Sequence, residues 1–273
     1  MTVSIPPTVE GALQEARKLV QGHYVTCFLE HFRVTLDPFR AEKCIEPLQE
    51  LDPRKGGLVR FQLESDSTNW PDETKEIVRL TAETMGMFKR ETPLEGDWDL
   101  VIALGGARRA NFDRLNYAAE AIAQGRATTQ ELIIVGSFER LLSEKEREFT
   151  ASFAPGATTE YALCESAYEE VNQHYQGLVN DCVGVHAENA PGLFQGILED
   201  HVVERMAVVT TQIYRMFTLF DLARVASWNL INEVMVAGNP SDPKIVAART
   251  TATYLSEIIR TIIAAIKLLA DLD

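Results

Sequence analysis

The stretch that decides the fold is Asp99–Gly125, with the sequence DLVIALGGARRANFDRLNYAAEAIAQG. An apolar run, Leu100–Leu104, is followed by the pair Gly105 and Gly106, and a helical spacing of apolar residues begins at Asn111. A short apolar run bounded by glycines suits a buried strand, and a spacing of three and four suits a helix. The stretch therefore predicts a strand, a tight turn and a helix.

The turn has the composition of an anion-binding site. Glycine lets the backbone approach a ligand closely, and the helix that follows offers unpaired N–H groups and the positive end of its dipole. Arg108 and Arg109 lie in the same turn and add positive charge. The alternative is that Gly105 and Gly106 only turn the chain and that both arginines pair with carboxylates.

The composition is that of an acidic globular protein. Apolar residues make up 46% of the 273 residues, and the formal net charge is -14. This charge argues against nucleic acid as a partner, because a phosphate backbone requires a basic face. Four cysteines without CxxC or Cys/His spacing predict no zinc site and no disulfide scaffold, and they favour a cytoplasmic location. The sequence predicts neither a signal peptide nor a membrane span.

From Asp97 onward, apolar runs alternate with helical patterns. This alternation predicts an α/β fold with a mostly parallel sheet and helices on both faces, because parallel strands are joined by crossover helices. We expect this domain to span residues 96–273 and a largely helical extension to span residues 1–95. The predicted strands are Leu100–Leu104, Glu131–Val135, Cys182–Val185, Met206–Thr210 and Glu233–Ala237. The predicted helices are 111–124, 139–149, 158–175, 191–200, 214–227 and 244–269.

Polar residues follow the ends of these strands. Ligands of parallel sheets lie beyond the carboxyl ends of the strands, where the strand order reverses, so we expect the loops there to share one electropositive hollow. Glu160 and Glu188 are candidate catalytic residues, since a buried carboxylate can act as a general base. The candidate ligand-binding residues of these loops, besides the glycine turn and its arginines, are Ser137, His186, Asn189, Thr210, Thr211 and Arg215.

Several of these candidates have a structural alternative. Glu160 follows two threonines and is also typical of a helix N-terminus, and Asn189 precedes Ala190 and Pro191 as a helix cap would. Helix capping or exposure to solvent explains Thr210 and Thr211 as well as ligand binding does. The motifs GxxxxGK[ST], GxGxxG, GxSxG and HExxH are absent from the sequence, so it predicts no P-loop, dinucleotide fingerprint, nucleophile elbow or zinc protease site.

Four segments resemble the YdcF-like family, a bacterial group that includes SanA and ElyC. Together they span about residues 97–240, and the first places Arg114 at the position of that family's helix arginine. The chain departs from the family at Gly136-Ser137-Phe138, where many members carry Ser-Gly-Gly, and at Tyr214-Arg215, where many carry a His and then an Arg. The four segments are VIALGGARRANFDRLNYAAEAIAQG, Thr159–Ala162, His186–Ala190 and Ala207–Thr211.

The resemblance implies a Rossmann-like fold, a ligand-binding role for Arg114 and, from the member that names the family, binding of S-adenosylmethionine. We therefore expect an anionic, nucleotide-like small molecule at the strand ends, bound by a transferase or hydrolase. The alternatives are a ligand sensor without chemistry and a protein-interaction scaffold. The final predicted helix is apolar on more than one face, and a homodimer through it is a further hypothesis.

Overall fold

The computed structural model describes residues 8–35, 43, 45–52, 70–89, 91–106, 109–187, 189–240 and 249–272. Within these ranges five strands form one sheet in the order β3-β2-β1-β4-β5, and every neighbouring pair is parallel. This arrangement confirms the α/β prediction, and the fold is Rossmann-like. The strands are β1 (Gly96–Leu104), β2 (Ala127–Ser137), β3 (Asp181–Val185), β4 (Arg205–Thr211) and β5 (Glu233–Asn239).

Of the ten α-helices that the structure describes, four precede the first strand, five lie between successive strands and one follows the last strand. None of the described helices is long and apolar enough to cross a membrane. The helices are α1 (Val9–Val20), α2 (His23–His31), α3 (Ile45–Leu51), α4 (Asp72–Thr84), α5 (Ala110–Ala123), α6 (Glu144–Thr150), α7 (Glu160–His174), α8 (Ala190–Leu198), α9 (Arg215–Trp228) and α10 (Thr251–Leu272).

One predicted helix start is wrong. The helix expected from Glu139 begins only at Glu144, because Ser143 and Glu146 form a capping box in which each side chain bonds the other residue's backbone N–H. Residues 138–143 are therefore a loop beside the end of β2. The predicted start of the last helix, Lys244, lies outside the described residues.

Alternate residues of the strands pack into two cores. Val101 and Ala103 point to the face covered by α5 and α7, whereas Leu100 and Ile102 point to the face covered by α8, α9 and α10. Both faces of the sheet are thus buried, which explains why the strands are continuous apolar runs.

The N-terminal helices belong to the second of these cores. Val20 of α1, Phe28 of α2 and Val78 of α4 pack in one apolar cluster with Ile102 of β1 and Ile262 of α10. The division at residues 95 and 96 stays a prediction, and the structure adds that the described parts on either side of it share a core.

The strand order places a switch point between β1 and β4. From β1 the chain proceeds through β2 to β3 on one side, and then returns to β4 and β5 on the other. The loops after β1 and β4 consequently diverge, and the carboxyl ends of these two strands border a crevice.

Candidate functional site

A cavity of about 710 Å³ opens at this crevice. Its volume is in the range of small-molecule sites. Of the predicted site residues, it brings together those at the ends of β1, β2 and β4 and at the starts of α5, α7 and α8. These are Gly105, Gly106, Arg114, Ser137, Glu160, Asn189 and Thr210.

The glycine turn is required by close packing. The N–H of Gly105 donates to the carbonyl oxygen of Val135 at 2.7 Å, and a Cβ atom at Gly105 would lie 2.7 Å from that oxygen and 3.1 Å from Cδ of Glu160. A Cβ atom at Gly106 would lie 3.1 Å from Nη1 of Arg114. The two glycines thus let β1, β2 and the start of α7 approach one another.

Arg114 is a buried cation in the cavity wall. Its Nη1 donates to the carbonyl oxygen of Leu104 at 2.8 Å and also to that of Gly105, while Nε donates to Oγ1 of Thr211 at 3.2 Å. The residue is 4% exposed. These partners at the ends of β1 and β4 hold the guanidinium at the switch point, so Thr211 acts by positioning Arg114.

Arg109, in the turn before α5, is placed differently from Arg114. Arg109 is exposed, forms an ion pair of 3.3 Å with Glu170, and lies over the rings of Phe112 and Phe153. It is outside the cavity lining. The geometry of Arg109 agrees with the alternative to ligand binding, in which an arginine of the turn pairs with a carboxylate. Arg108 lies outside the described residues.

Glu160 is the first residue of α7, but it does not cap the helix. Thr159 does so, accepting a hydrogen bond from the N–H of Ala162, whereas the carboxylate of Glu160 accepts the N–H of Ser137 at 3.2 Å and Nη1 of Arg140 at 2.7 Å. The capping alternative therefore does not account for this carboxylate. It is a buried acid bound to the loop after β2.

Ser137 organises that loop. Its hydroxyl donates to the carbonyl oxygen of Ala187 and accepts the N–H groups of Glu139 and Arg140. All its hydrogen-bonding capacity is used within the protein, so Ser137 has the contacts of a structural residue. Arg140, which it helps to hold, is a cavity residue that the sequence analysis missed.

The residues after β3 separate into two groups. His186 is an exposed side chain, 77% accessible, that pairs with Glu139 at 2.7 Å and lies outside the cavity lining. Asn189 lines the cavity and caps α8, because its Oδ1 accepts the N–H of Gly192 at 3.0 Å. Glu188, the second candidate base, lies outside the described residues.

The end of β4 contributes Thr210 but not Arg215. Thr210 is buried in the cavity wall, and its hydroxyl makes no hydrogen bond to another described residue. The Nε of Arg215 donates to the carbonyl oxygen of Val236 at 2.9 Å, and burial lowers the pKa of its guanidinium. Arg215 is outside the cavity lining.

The remaining wall comes from α9 and α10; sequence reasoning connected only Arg215, at the start of α9, to the site. The Cζ atom of Arg260 in α10 lies 4.0 Å from the ring centroid of Phe217 in α9. The Cζ atom of Arg114 lies 5.8 Å from the ring centroid of Tyr214. The Tyr214 and Phe217 rings are 5.9 Å apart. Only tertiary packing brings α10 here, and the local signal was Arg260, one of two basic residues that interrupt the apolar stretch 258–270.

The described lining has balanced charge, so the expected electropositive hollow is wrong for these residues. Arg140 pairs with Glu160 and Glu146, and Arg260 lies 3.3 Å from Glu257. The equal numbers of positive and negative side chains in this lining still distinguish it from the chain as a whole, whose formal net charge is -14. The charged residues of the described lining are Arg114, Arg140, Arg260, Glu146, Glu160 and Glu257.

The chemistry of the described lining suits binding more than nucleophilic attack. Ser137 is engaged in loop contacts and Glu160 is paired with Arg140. Cys164, behind the glycine turn, is fully buried, and burial raises the pKa of its thiol well above the usual range. No group of three or more His, Cys, Asp or Glu side chains in the described ranges is arranged to hold a metal ion.

Comparisons with known proteins give similarity without an activity. The chain is 29% identical over 119 residues to uncharacterized proteins of Mycobacterium bovis and Mycobacterium tuberculosis. The match covers 41% of this chain and 32% of each relative, so the chain matches about a third of their length. No protein-family model and no solved structure matches it.

Proposed function

We propose that the cavity at the switch point binds an anionic, nucleotide-like small molecule. The observation that carries this proposal is Arg114, a buried guanidinium held between the ends of β1 and β4 in the cavity wall. A cation in a buried site interacts strongly with an anion because water screens it little. Arg140 and Arg260 add two more guanidinium groups to the same wall.

The location supports the proposal independently. Open parallel sheets bind ligands beyond the carboxyl ends of their strands at the switch in strand order, and this cavity lies there. The unengaged hydroxyl of Thr210 adds a polar group that can hydrogen-bond a ligand. S-adenosylmethionine is included among the candidate ligands through the resemblance to the YdcF-like family, and membership of that family is likewise a proposal.

Two roles for such a site are distinguishable. In a transferase or hydrolase, Glu160 or Glu188 would act as the base and the arginines would stabilise developing negative charge. A ligand sensor needs binding alone, and the pairing of Glu160 with Arg140 favours this second role in the described part of the site. Conversion of a bound ligand to a product would show that the protein is an enzyme and not a ligand sensor.

We also propose a reducing, cytoplasmic setting. Cys27, Cys164 and Cys182 are free thiols in the described structure, which is the state that a reducing compartment maintains. A protein-interaction scaffold and a homodimer stay hypotheses. The buried apolar residues of α10, such as Ile258 and Ile262, pack within this chain against α1, α4 and α9.

A thermal-shift panel of nucleotides, S-adenosylmethionine and phosphorylated metabolites tests the proposal. A ligand that binds the native state raises the melting temperature in a saturable way. We expect a hit that is lost in Arg114→Met and weakened in Arg140→Gln, while Arg109→Met, an arginine of the same turn outside the cavity, leaves it unchanged. No hit across the panel, or equal loss in the Arg109 variant, would overturn the proposal.

A further inference from the structure

We infer that the cavity has a separate subsite for a planar ring, formed by the guanidinium of Arg260 where it lies on Phe217. This inference rests on the proposed function and narrows it: the ligand would be an anion that also carries a flat aromatic ring. The ring would lie against α10, and the anionic group would lie toward Arg114.

The geometry of Arg260 is that of a stacking platform. Its Cζ is 4.0 Å from the centroid of Phe217, a distance at which the guanidinium contacts the face of the ring. Phe217 is 7% exposed, whereas the Arg260 side chain is 40% exposed. The aromatic ring is therefore covered by the guanidinium, and the guanidinium remains accessible from the cavity.

The position of this pair fits a ligand with two different ends. Both residues line the cavity, and Tyr214 connects them to Arg114 along one wall, with separations of 5.8, 5.9 and 4.0 Å between successive groups. The rings of Tyr214 and Phe217 thus lie along this wall between the two guanidinium groups. A nucleotide would place its phosphate near Arg114 and its base on Arg260.

The cavity lining also includes exposed apolar surface. Leu141, in the loop after β2, is 72% exposed although it lines the cavity. Covering exposed apolar side chains is favourable, and a planar base adds stacking on an arginine plane. These contacts recognise the flatness of a ring and are tolerant of which base it is.

Matched ligand pairs separate the ring from the anion. Isothermal titration would compare AMP with ribose 5-phosphate, ADP with pyrophosphate, and S-adenosylmethionine with methionine. We expect the ring-bearing member of at least one pair to bind about tenfold more tightly, the size of a base stacking on a protein side chain. Arg260→Lys keeps the charge and removes the plane, so it should abolish that advantage by weakening the ring-bearing member about tenfold more than the ring-free member.

The outcomes distinguish this inference from the function on which it rests. If ring-free anions bind as tightly as their ring-bearing partners, or if Arg260→Lys weakens both equally, the ring subsite is refuted and anion binding stands. If no member of any pair binds, the proposed function is refuted too. Arg109→Lys serves as the surface control, and an unchanged melting temperature of Arg260→Lys without ligand excludes a folding defect as the cause.

Discussion

The two strand-to-helix junctions on either side of the switch point use their arginines in opposite ways. After β1, the chain turns through Gly105 and Gly106, and Arg114, one turn into α5, extends back to the carbonyl groups at the end of its own strand. After β4, a 3-10 turn precedes α9, and Arg215 at the helix start bonds the backbone of β5 instead.

The difference shows how the position in a helix decides the role of a side chain. Helical side chains lean toward the N-terminus, so a residue one turn into the helix lies over its first turn, where the strand ends and a ligand would bind. A residue at the first position leans away from the helix and reaches a neighbouring strand. An arginine near a strand end is therefore a ligand-binding candidate only when its register directs it back.

The largest expected effect comes from exchanging these two arginines for methionine. Arg114→Met leaves the carbonyl groups of Leu104 and Gly105 without their donor, so we expect the free energy of unfolding to fall by about 3 kcal/mol and anion binding to be lost. Arg215→Met removes one hydrogen bond and should cost about 1 kcal/mol. Urea denaturation and the thermal-shift panel measure both, and loss of binding in the Arg215 variant would contradict the comparison.

Equivalent positions of the two junctions should also differ in tolerance. Gly105 and Thr211 each lie two residues beyond the paired Ala103 and Val209. Gly105→Ala would bring Cβ to 2.7 Å from the carbonyl oxygen of Val135, and we expect a loss of about 2 kcal/mol from overpacking. Thr211→Ala removes a single bond to Arg114 and should cost about 1 kcal/mol. Equal melting temperatures for the two variants would show that Gly105 tolerates a Cβ atom as well as the Thr211 position tolerates alanine.

The helix that begins at the second junction carries a pH-dependent carboxyl group. Burial raises the pKa of Asp221 from its usual value of 3.8 to about 6, although the positive charges of Arg260, Lys267 and Arg224 act to lower it. Between these two pH values the folded state binds more protons than the unfolded state. The free energy of unfolding therefore falls as the pH rises from about 4 to about 6.

Asp221→Asn should therefore be the more stable protein at pH 8, by about 3 kcal/mol, with little of this advantage present near pH 4. Urea midpoints at pH 4, 6 and 8 measure the difference. A constant difference between the two proteins across that range would mean that Asp221 does not titrate in this way.

The smallest expected effect is at the cap of α8. Asn189→Ala removes the acceptor for the N–H of Gly192, and we expect a loss of about 1 kcal/mol, which Asn189→Ser should largely restore. The midpoint of thermal unfolding reports this change. If the alanine variant also loses the ligand while the serine variant keeps it, the cap and the site share this side chain.

The strands were predictable because their signal is local. Leu100–Leu104 and the other four apolar runs each lie within an observed strand, since burial on both faces of a parallel sheet demands such runs. The start of α6 was missed because the capping pair Ser143 and Glu146 outweighs the helical pattern before it.

The site was predictable only where it depends on strand ends. Ser137 and Thr210 follow from the rule that ligands lie beyond the carboxyl ends of parallel strands, whereas Glu160 was a candidate at the start of a predicted helix. Arg260 and Phe217 enter the cavity through the packing of α10 on α9, which no pattern within either helix encodes. Arg109 and His186 have the right sequence position, but their side chains pair with Glu170 and Glu139 at the surface.

The shared core of the N-terminal helices and α10 has a consequence for synthesis on the ribosome. Helix α1 is synthesised before any strand of the sheet, whereas its apolar partners in α9 and α10 follow the fourth and the fifth strand. The leucines and alanines of α1 are not covered by these helices during that interval, when a nascent chain is most prone to aggregation. Completion of the fold is thus a late event that closes the early and late parts of the chain around the same face of the sheet.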